Sequence, residues 1–330
     1  MDHGFIHLGQ KLPGTILGLI TKNLYLFVLA VIVSLGMSFG TQSVLAETDN
    51  SVLMAGGYGT IFQQGDITIS SEVPLNVDIG VADIHFVDIT VSGVANASLK
   101  IHGLKPSTLY YVYLDDFRNL TEYTTTEDGS LSLSFELVEA FPDLPNLRHV
   151  MIQDEQSTLF LTDDATGGDC ASIGAWDATT KTCTLTQTVT ETIQIDSIGV
   201  TLDCNNQIIE RESGFYGVYI YSAYDTVVKN CNMQGLWGYG IYVVYGFRAE
   251  ISNNTVDGAY SVGINTGDCR ACNVIGNRVT NGARHGFRFA NRYNGTVSDN
   301  TIDTTKYGWH WGSRYSHDVC VDNFYNNKVN

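Results

Sequence analysis

One sequence pattern repeats about every 23 residues between residue 217 and the C-terminus. An asparagine marks each unit, and a glycine keeps the same spacing. The asparagines are Asn254, Asn277, Asn300 and Asn323, and the unit before them carries Cys231 at this position. The glycines are Gly217, Gly240, Gly263, Gly286 and, one residue early, Gly308. Apolar residues lie two positions apart within each unit, which is the spacing of a β-strand with one buried face. Repetition at a fixed period constrains the fold before any local propensity does.

A unit of this length is too short for two helices and their turns, but it suits one coil of a parallel β-helix. Stacked coils lie about 4.8 Å apart, so equivalent residues form columns along the axis. We expect each repeated Asn to adopt a left-handed backbone in a turn and to bond through its amide to the Asn residues above and below. A leucine-rich repeat is disfavoured because Leu is nearly absent from these columns.

Three of the repeats carry a family resemblance. The sequences N-N-T-V-D at 253–257, G-N-R-V-T at 276–280 and D-N-T-I-D at 299–303 resemble the right-handed parallel β-helix repeat family. That family includes pectate lyases, polygalacturonases and many unassigned surface proteins, and the resemblance covers residues 185–330. It implies an all-β fold, with a right-handed single-stranded parallel β-helix.

The chain before the repeats divides into three segments. Residues 1–46 are predicted to be a signal peptide. Residues 47–150 contain short alternating strands separated by turn signals, which predict a small antiparallel β-sandwich-like module. Within it, residues 103–113 resemble the proline-to-tyrosine segment of fibronectin type III domains, with an Ig-like module as the broader class. Residues 151–190 are predicted to form a connection and an N-terminal cap, and residues 191–330 the β-helix.

The N-terminal segment has the features of an export signal. An apolar run at Leu24–Leu35 follows Lys11 and Lys22, and a small-residue cleavage site ends at Ala46. We expect cleavage and a secreted or cell-surface protein without membrane insertion, and an uncleaved anchor is the alternative. The formal net charge of −17 argues against nucleic acid and anionic lipid as partners, because both would repel the chain.

The cysteines predict two long-range constraints. Cys170 and Cys183 bracket a Trp-bearing loop, and we expect a disulfide there to close a cap over the first coil. Cys204 and Cys231 are expected to occupy the same turn of neighbouring coils, where their Cα atoms fall within disulfide range. The CxxC motif at 269–272 favours a local disulfide or two packed thiols over a redox or zinc site, because no second ligand pair is suitably spaced.

The residue between two inward-facing residues of a coil is expected to point outward and to be exposed. This column and its neighbourhood contain the predicted substrate-binding residues, namely Tyr219, Tyr242, Asn265, Arg288, His310, His285 and Arg314. Tyrosine rings stack on sugar faces and Arg pairs with uronate carboxylates, so we predict a non-catalytic groove for an acidic polysaccharide or surface glycan. The alternative is scattered surface cations, with Tyr favoured by strand propensity.

The sequence is also compatible with two other functions. A polysaccharide lyase or glycoside hydrolase would act through Asp268, Arg288 and Arg292, although the paired-Asp motif of polygalacturonases and the pectate-lyase signature are both absent. A structural adhesion or spacer protein of the envelope is the other function. No cofactor is required, Ca²⁺ suits the lyase alternative, and no metal site is predicted. The resembled family also includes a periplasmic protein of copper-site maturation, but no Met and His cluster favours it here.

The chain stops at Asn330 without a visible cap. We therefore expect further C-terminal coils or a capping partner. Cys320 falls in the inward Val column and is expected to be a buried thiol.

Overall fold

The structure of the protein is a computed structural model, and it describes residues 56–93, 96–138, 146–210, 214–235, 238–267, 269–281, 284–290, 295–303, 305, 307–312 and 323–329. The described chain is all-β apart from one short helix, α1 (Cys170–Ile173). An antiparallel sheet is followed by a parallel β-helix, so the predicted fold class is confirmed. The predicted signal peptide at 1–46 lies outside the described residues. No helix among the described residues is long and apolar enough to cross a membrane.

Eight antiparallel strands form the first sheet, called sheet 1. They are β1 (Gly56–Gln64), β2 (Ile67–Ala82), β3 (Phe86–Ser92), β4 (Asn96–His102), β5 (Leu109–Leu114), β6 (Asp116–Thr124), β7 (Leu131–Glu136) and β8 (Leu147–Gln153). Their order is β6-β5-β8-β3-β2-β4-β7, with β1 also paired to β2. The long β2 pairs with β4 near its start and with β3 near its end. The two halves that it joins share one apolar core, which includes Leu99 and Ile152.

Seven strands form the parallel sheet that faces sheet 1, called sheet 2. They are β9 (Thr158–Leu161), β12 (Thr192–Ile195), β15 (Tyr216–Tyr221), β18 (Tyr239–Val244), β21 (Val262–Gly267), β24 (His285–Ala290) and β27 (Tyr307–Gly312). Since β9 already pairs in parallel with β12, the β-helix begins shortly after β8 ends.

Two further sheets complete each coil. Sheet 3 contains β10 (Gly174–Asp177), β11 (Thr182–Leu185), β13 (Thr201–Asp203), β16 (Val227–Lys229), β19 (Glu250–Ser252), β22 (Asn273–Ile275), β25 (Thr296–Ser298) and β28 (Asn323–Tyr325). Sheet 4 contains β14 (Ile208–Glu210), β17 (Asn232–Gln234), β20 (Thr255–Asp257), β23 (Arg278–Thr280), β26 (Thr301–Ile302) and β29 (Lys328–Val329). One strand from each of sheets 2, 3 and 4 makes a coil, which explains the short apolar runs of the repeat.

The inward columns form the core of the β-helix. In sheet 3, Val228, Ile251, Val274 and Val297 align in register and are fully buried. Burial of one such side chain contributes about 1.5–3 kcal/mol. The repeated glycines have a packing reason. A Cβ on Gly263 would lie 2.4 Å from Val279 Cγ1 and 2.7 Å from the carbonyl of Gly286, so no larger residue fits between sheets 2 and 4.

A ladder of buried asparagines joins successive coils. The amide nitrogen of Asn254 donates to Asn277 Oδ1 at 3.0 Å, and that of Asn277 donates to Asn300 Oδ1 at 3.0 Å. Each amide also donates to a backbone carbonyl, as from Asn277 to Ile251 at 2.8 Å. Each Oδ1 in turn accepts the backbone N–H of the preceding ladder residue, at 3.0 Å for Asn277 and Asn254. The predicted amide bonds between coils are therefore confirmed.

Two details of the predicted ladder are wrong. The residue in left-handed backbone is the one before each ladder position, such as Asn253 with φ 55° and Asp299 with φ 59°. The last ladder residue is Asn327, whose Oδ1 accepts from Asn300 Nδ2 at 2.9 Å, whereas Asn323 lies in β28.

The period therefore lengthens to 27 residues in the last coil. As a result Phe324, and not Cys320, aligns with the inward residue Val297. Cys320 itself lies outside the described residues. The inserted residues shift the register without changing the order of the sheets.

Disulfides close the first coils as predicted. Cys170–Cys183 joins α1 to β11, and Cys204–Cys231 joins neighbouring coils with Cα atoms 4.7 Å apart. The CxxC motif forms the local disulfide Cys269–Cys272, one of its two structural alternatives.

We predict that Asn277→Ala lowers the free energy of unfolding by about 2–4 kcal/mol, because it leaves the Ile251 carbonyl and the Asn254 N–H buried without partners. Denaturant unfolding measures the change. Asn76→Ala is the matched control, since Asn76 is exposed on β2, and it should change stability by less than about 0.5 kcal/mol. Equal effects of the two variants would contradict the stabilising role of the ladder.

Candidate functional site

The outer face of sheet 2 is the surface on which the sequence analysis places a binding groove. Parallel pairing aligns Tyr219, Tyr242, Asn265 and Arg288 in one column, as predicted. A second column contains Tyr216, Tyr239, Val262, His285 and Tyr307. The first column points away from the core of the β-helix, because the residues that flank it in each strand fill that core. Tyrosines of both columns, such as Tyr216 and Tyr219, pack instead in a separate cluster. The face therefore changes from aromatic to basic along the axis.

Sheet 1 covers the aromatic end of this face. An apolar cluster joins Phe86 and Met151 of sheet 1 to Tyr216, Tyr219 and Val262 of sheet 2. The tyrosine rings stack on one another, with centroids 4.8 Å apart for Tyr216 and Tyr219. Such aromatic contacts add about 0.5–1.5 kcal/mol each beyond the area that they bury. The β-helix and the sheet are therefore packed through the tyrosine columns.

A buried polar network fixes the position of sheet 1 on these tyrosines. The Tyr216 hydroxyl donates to Asp88 Oδ2 at 3.1 Å, and His149 Nε2 lies 2.5 Å from Asp88 Oδ1. The Tyr219 hydroxyl donates to the backbone carbonyl of Asp115 at 2.8 Å. All these side chains are buried, so each polar group depends on its partner across the interface.

Two further contacts hold sheet 1 on the β-helix. A Cβ on Gly80 would lie 2.6 Å from the Tyr239 hydroxyl, so β2 can approach this ring only with a glycine. On β12, Gln194 Nε2 donates to Asp116 Oδ1 at 2.7 Å, and Gln194 Oε1 accepts the Phe117 N–H at 3.1 Å. The contact between the two parts of the chain therefore extends over several coils.

Burial changes the acidity of the tyrosines. It raises the pKa of Tyr216, Tyr219 and Tyr239 well above the ordinary value near 10, and the neighbouring phenols, together with the carboxylates of Asp88 and Asp115, act in the same direction. Ionising any of them would place an unpaired negative charge in the interface. The cluster is therefore stable only with its hydroxyls protonated.

The basic end of the face lies one and two coils further along. Asn265, His285 and Arg288 are buried, with 1%, 7% and 7% of their surface exposed, whereas Arg284 is partly exposed. The His285 ring stacks on that of Tyr307 at 5.3 Å, and Tyr307 is 48% exposed. We call these five residues the basic pocket.

Two guanidinium groups lie close together in the basic pocket. Burial lowers the pKa of the Arg284 guanidinium, the nearby Tyr307 hydroxyl opposes this, and the charge of Arg288 lowers the pKa further. Arg288 takes part in none of the ion pairs found among the described residues. Its Nε–H and both amide atoms of Asn265 have no hydrogen-bond partner within that part of the chain. The arrangement is suited to an anion that carries hydroxyl groups.

The predicted site residues thus fall into three groups. Tyr219 and Tyr242 lie under sheet 1, and the prediction that Tyr219 is exposed is wrong because sheet 1 covers it completely. Asn265, His285 and Arg288 come together in the basic pocket, although they too are buried where exposure was predicted. The remaining predicted residues, Asp268, Arg292, Arg314 and the side chain of His310, lie outside the described part of the chain.

Sequence reasoning missed the sheet 1 partners of the tyrosines. Asp88, Asp115 and His149 are separated from Tyr216 by more than 60 residues and carry no repeat signal. Arg284 was also not among the predicted site residues. The signal that could have found the interface is the run of four large tyrosines in two neighbouring columns, which is more aromatic surface than a solvated face requires.

The β-helix is similar to one known protein family. Residues 172–330, a little under half of the chain, match the family described as periplasmic copper-binding protein (NosD). This is the copper-related alternative that the sequence analysis disfavoured. The periplasmic description of that family agrees with the prediction of a secreted or cell-surface chain. No curated protein matches the chain.

One solved structure is similar to this chain. It is the catalytic unit of a thermostable GH87 alpha-1,3-glucanase from Streptomyces thermodiastaticus strain HF3-3, at 10% identity over 77% of this chain and 68% of that one. The TM-score is 0.19, so the likeness carries no argument about fold or activity.

The described residues do not fit a copper ion. No group of three or more His, Cys, Asp or Glu side chains converges among them. Thiolates and imidazoles are the ligands that copper prefers, and six of the seven cysteines are held in disulfides.

We predict a steep loss of stability above pH 10. The unfolded chain ionises its tyrosines near that pH while Tyr216, Tyr219 and Tyr239 stay protonated in the folded protein, so their contribution is complete below pH 10 and is lost as the pH rises. Each tyrosine adds a slope of about 1.4 kcal/mol per pH unit.

Denaturant unfolding between pH 9 and 11 measures this slope. Tyr219→Phe should reduce it by the contribution of one tyrosine, and Tyr58→Phe, at a residue 73% exposed, should leave it unchanged. An unaltered slope in Tyr219→Phe would contradict the protonated, buried cluster.

Proposed function

We propose that the protein is an exported β-helix protein that binds an acidic polysaccharide through the basic pocket and does not cleave it. The observation that carries the proposal is the proximity of the Arg284 guanidinium to that of Arg288. Burial lowers the pKa of Arg284, and the positive charge of Arg288 lowers it further. Two like charges that close together repel each other, and a bound anion would relieve that repulsion.

Uronate carboxylates suit the pocket for a geometric reason. A guanidinium presents parallel N–H groups that match the two oxygens of a carboxylate, and these bonds are about twice as strong as neutral ones. Two guanidinium groups side by side can bind carboxylates on successive sugars or share one. A polymer with a carboxylate on each sugar would gain affinity from both guanidinium groups.

The aromatic part of the proposed surface differs from the one predicted from sequence. Tyr219 is buried under sheet 1, so it cannot stack on a sugar, and its role is to hold that sheet. Tyr307 is half exposed beside His285 and offers a ring face at the rim of the basic pocket. We infer that a bound sugar packs on Tyr307 while its carboxylate enters between the arginines.

The catalytic alternative remains a polysaccharide lyase or hydrolase. A hydrolase needs two carboxyl groups across the scissile bond, and a lyase needs a base beside the neutralised carboxylate. No described carboxylate is among the groups that perturb the pKa of Arg284, which disfavours a hydrolase at this pocket. The candidates Asp268 and Arg292 lie outside those residues and are tested by the same experiment.

Co-sedimentation with insoluble or cross-linked polysaccharides tests the proposal. The full chain should bind polygalacturonate and alginate, with or without Ca²⁺, and should not bind neutral dextran. Binding should weaken with salt because the charges at the pocket rim are partly exposed. New reducing ends and unsaturated uronates are measured in the same samples, and their appearance would show an enzyme instead.

Variants that remove the positive charges of the basic pocket test whether those charges bind the polymer. Arg284→Gln with Arg288→Gln should lower the affinity for the acidic polymers at least tenfold, since each replaces a charge-assisted hydrogen bond. Arg278→Gln is the control, because Arg278 lies on sheet 4 and pairs with Asp303. Equal binding by the wild type and the double variant would overturn the proposal, and no binding to any polymer would leave the spacer function.

A further inference from the structure

Strand β1 is an open edge of sheet 1. It is nine residues long, and among the described strands only β2 pairs with it. Its register with β2 shifts once, between Gly59 and Ile61, so the edge consists of two paired stretches of four residues. In an antiparallel pair alternate residues direct their N–H and C=O groups to the partner, so the other residues of β1 direct theirs outward. Such a row of backbone groups is a template for one more strand.

The sequence of β1 lacks the usual protection of an open edge. Proteins commonly place charged side chains or proline on such strands, or keep them very short. Residues 51–65 contain no Asp, Glu, Lys, Arg or Pro. The strands at the two ends of the order of sheet 1 differ, since β6 carries Asp116, Arg118 and Glu122 and β7 ends with Glu136. Strand β1 is therefore the edge of this sheet that is suited to pairing.

The side chains of β1 add apolar surface to this edge. Tyr58 is 73% exposed and Ile61 is 70% exposed, the two highest values among the large apolar side chains of the described residues. Phe62, between Ile61 and the end of the strand, instead packs into the core of sheet 1. Exposed apolar side chains beside unpaired backbone groups are the combination that a protein interface buries.

Charge indicates which partner fits this edge. The chain carries a net charge of −17, so two copies repel each other over most orientations. An edge without charged residues is where two copies can approach with the least repulsion, and it offers no ion pair to a partner recognised by charge. Two copies of one edge are also self-complementary about a two-fold axis, which makes the two strands antiparallel.

We propose that β1 is a dimerisation edge, at which two copies of this chain join their sheets 1 into one continuous antiparallel sheet. Ile61 lies near the middle of β1, so the two-fold axis brings both Ile61 side chains together on one face of the joined sheet. Each copy contributes about 30 Å of strand. This is a small interface, so we expect a weak dimer with a Kd of roughly 10–100 µM. The dimer does not depend on the proposed function.

Analytical ultracentrifugation of the chain recovered after export tests the proposal. From about 1 to 500 µM the mass should rise from monomer to dimer and stop there, because each chain has one such edge. Raising NaCl from about 0.05 to 0.5 M should tighten the dimer about threefold, because salt screens the repulsion between the copies.

Three results of this experiment would overturn the proposal. One is a monomer at every concentration, which would be expected if residues 47–55 of the same chain cover the edge. Another is a mass that grows beyond the dimer. The third is association that weakens with salt, since that would place the contact between opposite charges, such as the basic pocket and an acidic surface.

A matched pair of isoleucine variants locates the contact. Ile61→Glu places two carboxylates close together at the two-fold axis and should weaken the dimer about tenfold or more. Ile198→Glu adds the same charge on the turn after β12, at a residue 56% exposed, and should change the Kd by less than about twofold. Both should keep the melting temperature of the wild type, because both sites are exposed. Equal dissociation constants for the two variants would contradict pairing through β1.

Hydrogen exchange distinguishes strand pairing from a contact between side chains alone. In the wild type and in Ile198→Glu, the amides of residues 56–64 should exchange more slowly as the concentration rises through the Kd, whereas in Ile61→Glu their exchange should not change. Dimer formation without slower exchange in this strand would assign the dimer to another surface and overturn the proposal. Failure of the dimer leaves the proposed polysaccharide binding intact, because that binding is measured with the arginine variants.

Discussion

The stacking of short coils is the constraint on which this structure depends. A coil of about 23 residues cannot pair its own backbone groups or enclose its own apolar side chains, so it is stable only against neighbouring coils. The asparagine ladder makes this stacking specific, because an amide that donates to the next Oδ1 and accepts the preceding N–H allows a single register. Once the register is fixed, every residue type repeated in sequence becomes a column in space, and the outer face of sheet 2 acquires its order.

That order divides one face between a structural role and a binding role. The first coils present tyrosines, which are large, apolar and able to donate a hydrogen bond, and sheet 1 packs on them through Asp88 and His149. One and two coils later the same column presents Asn265 and Arg288, and both amide atoms of Asn265 and the Nε of Arg288 lack hydrogen-bond partners in the described chain. The change of residue type along the axis therefore places the basic pocket, which we propose to bind an anion, where the aromatic interface ends.

The sequence was a good guide wherever the structure is repetitive. The period and the alternation within strands predict the columns that contain Val228 and Gly240. They also predict the disulfide Cys204–Cys231 and the outward direction of Tyr219. Two kinds of feature could not be predicted. The docking of sheet 1 involves residues far apart in the chain, whose long-range contacts leave no local period, and strands β1 and β2 showed no usable alternation. The register change to Asn327 follows an insertion, which a fixed period cannot anticipate.

A crystal structure of the full chain with a short oligogalacturonate bound is the measurement that tests the central claim most directly. The account predicts density for a uronate at the basic pocket, with its carboxylate on the guanidinium groups of Arg284 and Arg288 and a sugar ring over Tyr307. Sheet 1 should remain packed on the tyrosine columns in that complex. An oligosaccharide bound elsewhere with the basic pocket filled only by water, or a sheet 1 displaced so that sugars stack on Tyr219 and Tyr242, would contradict it.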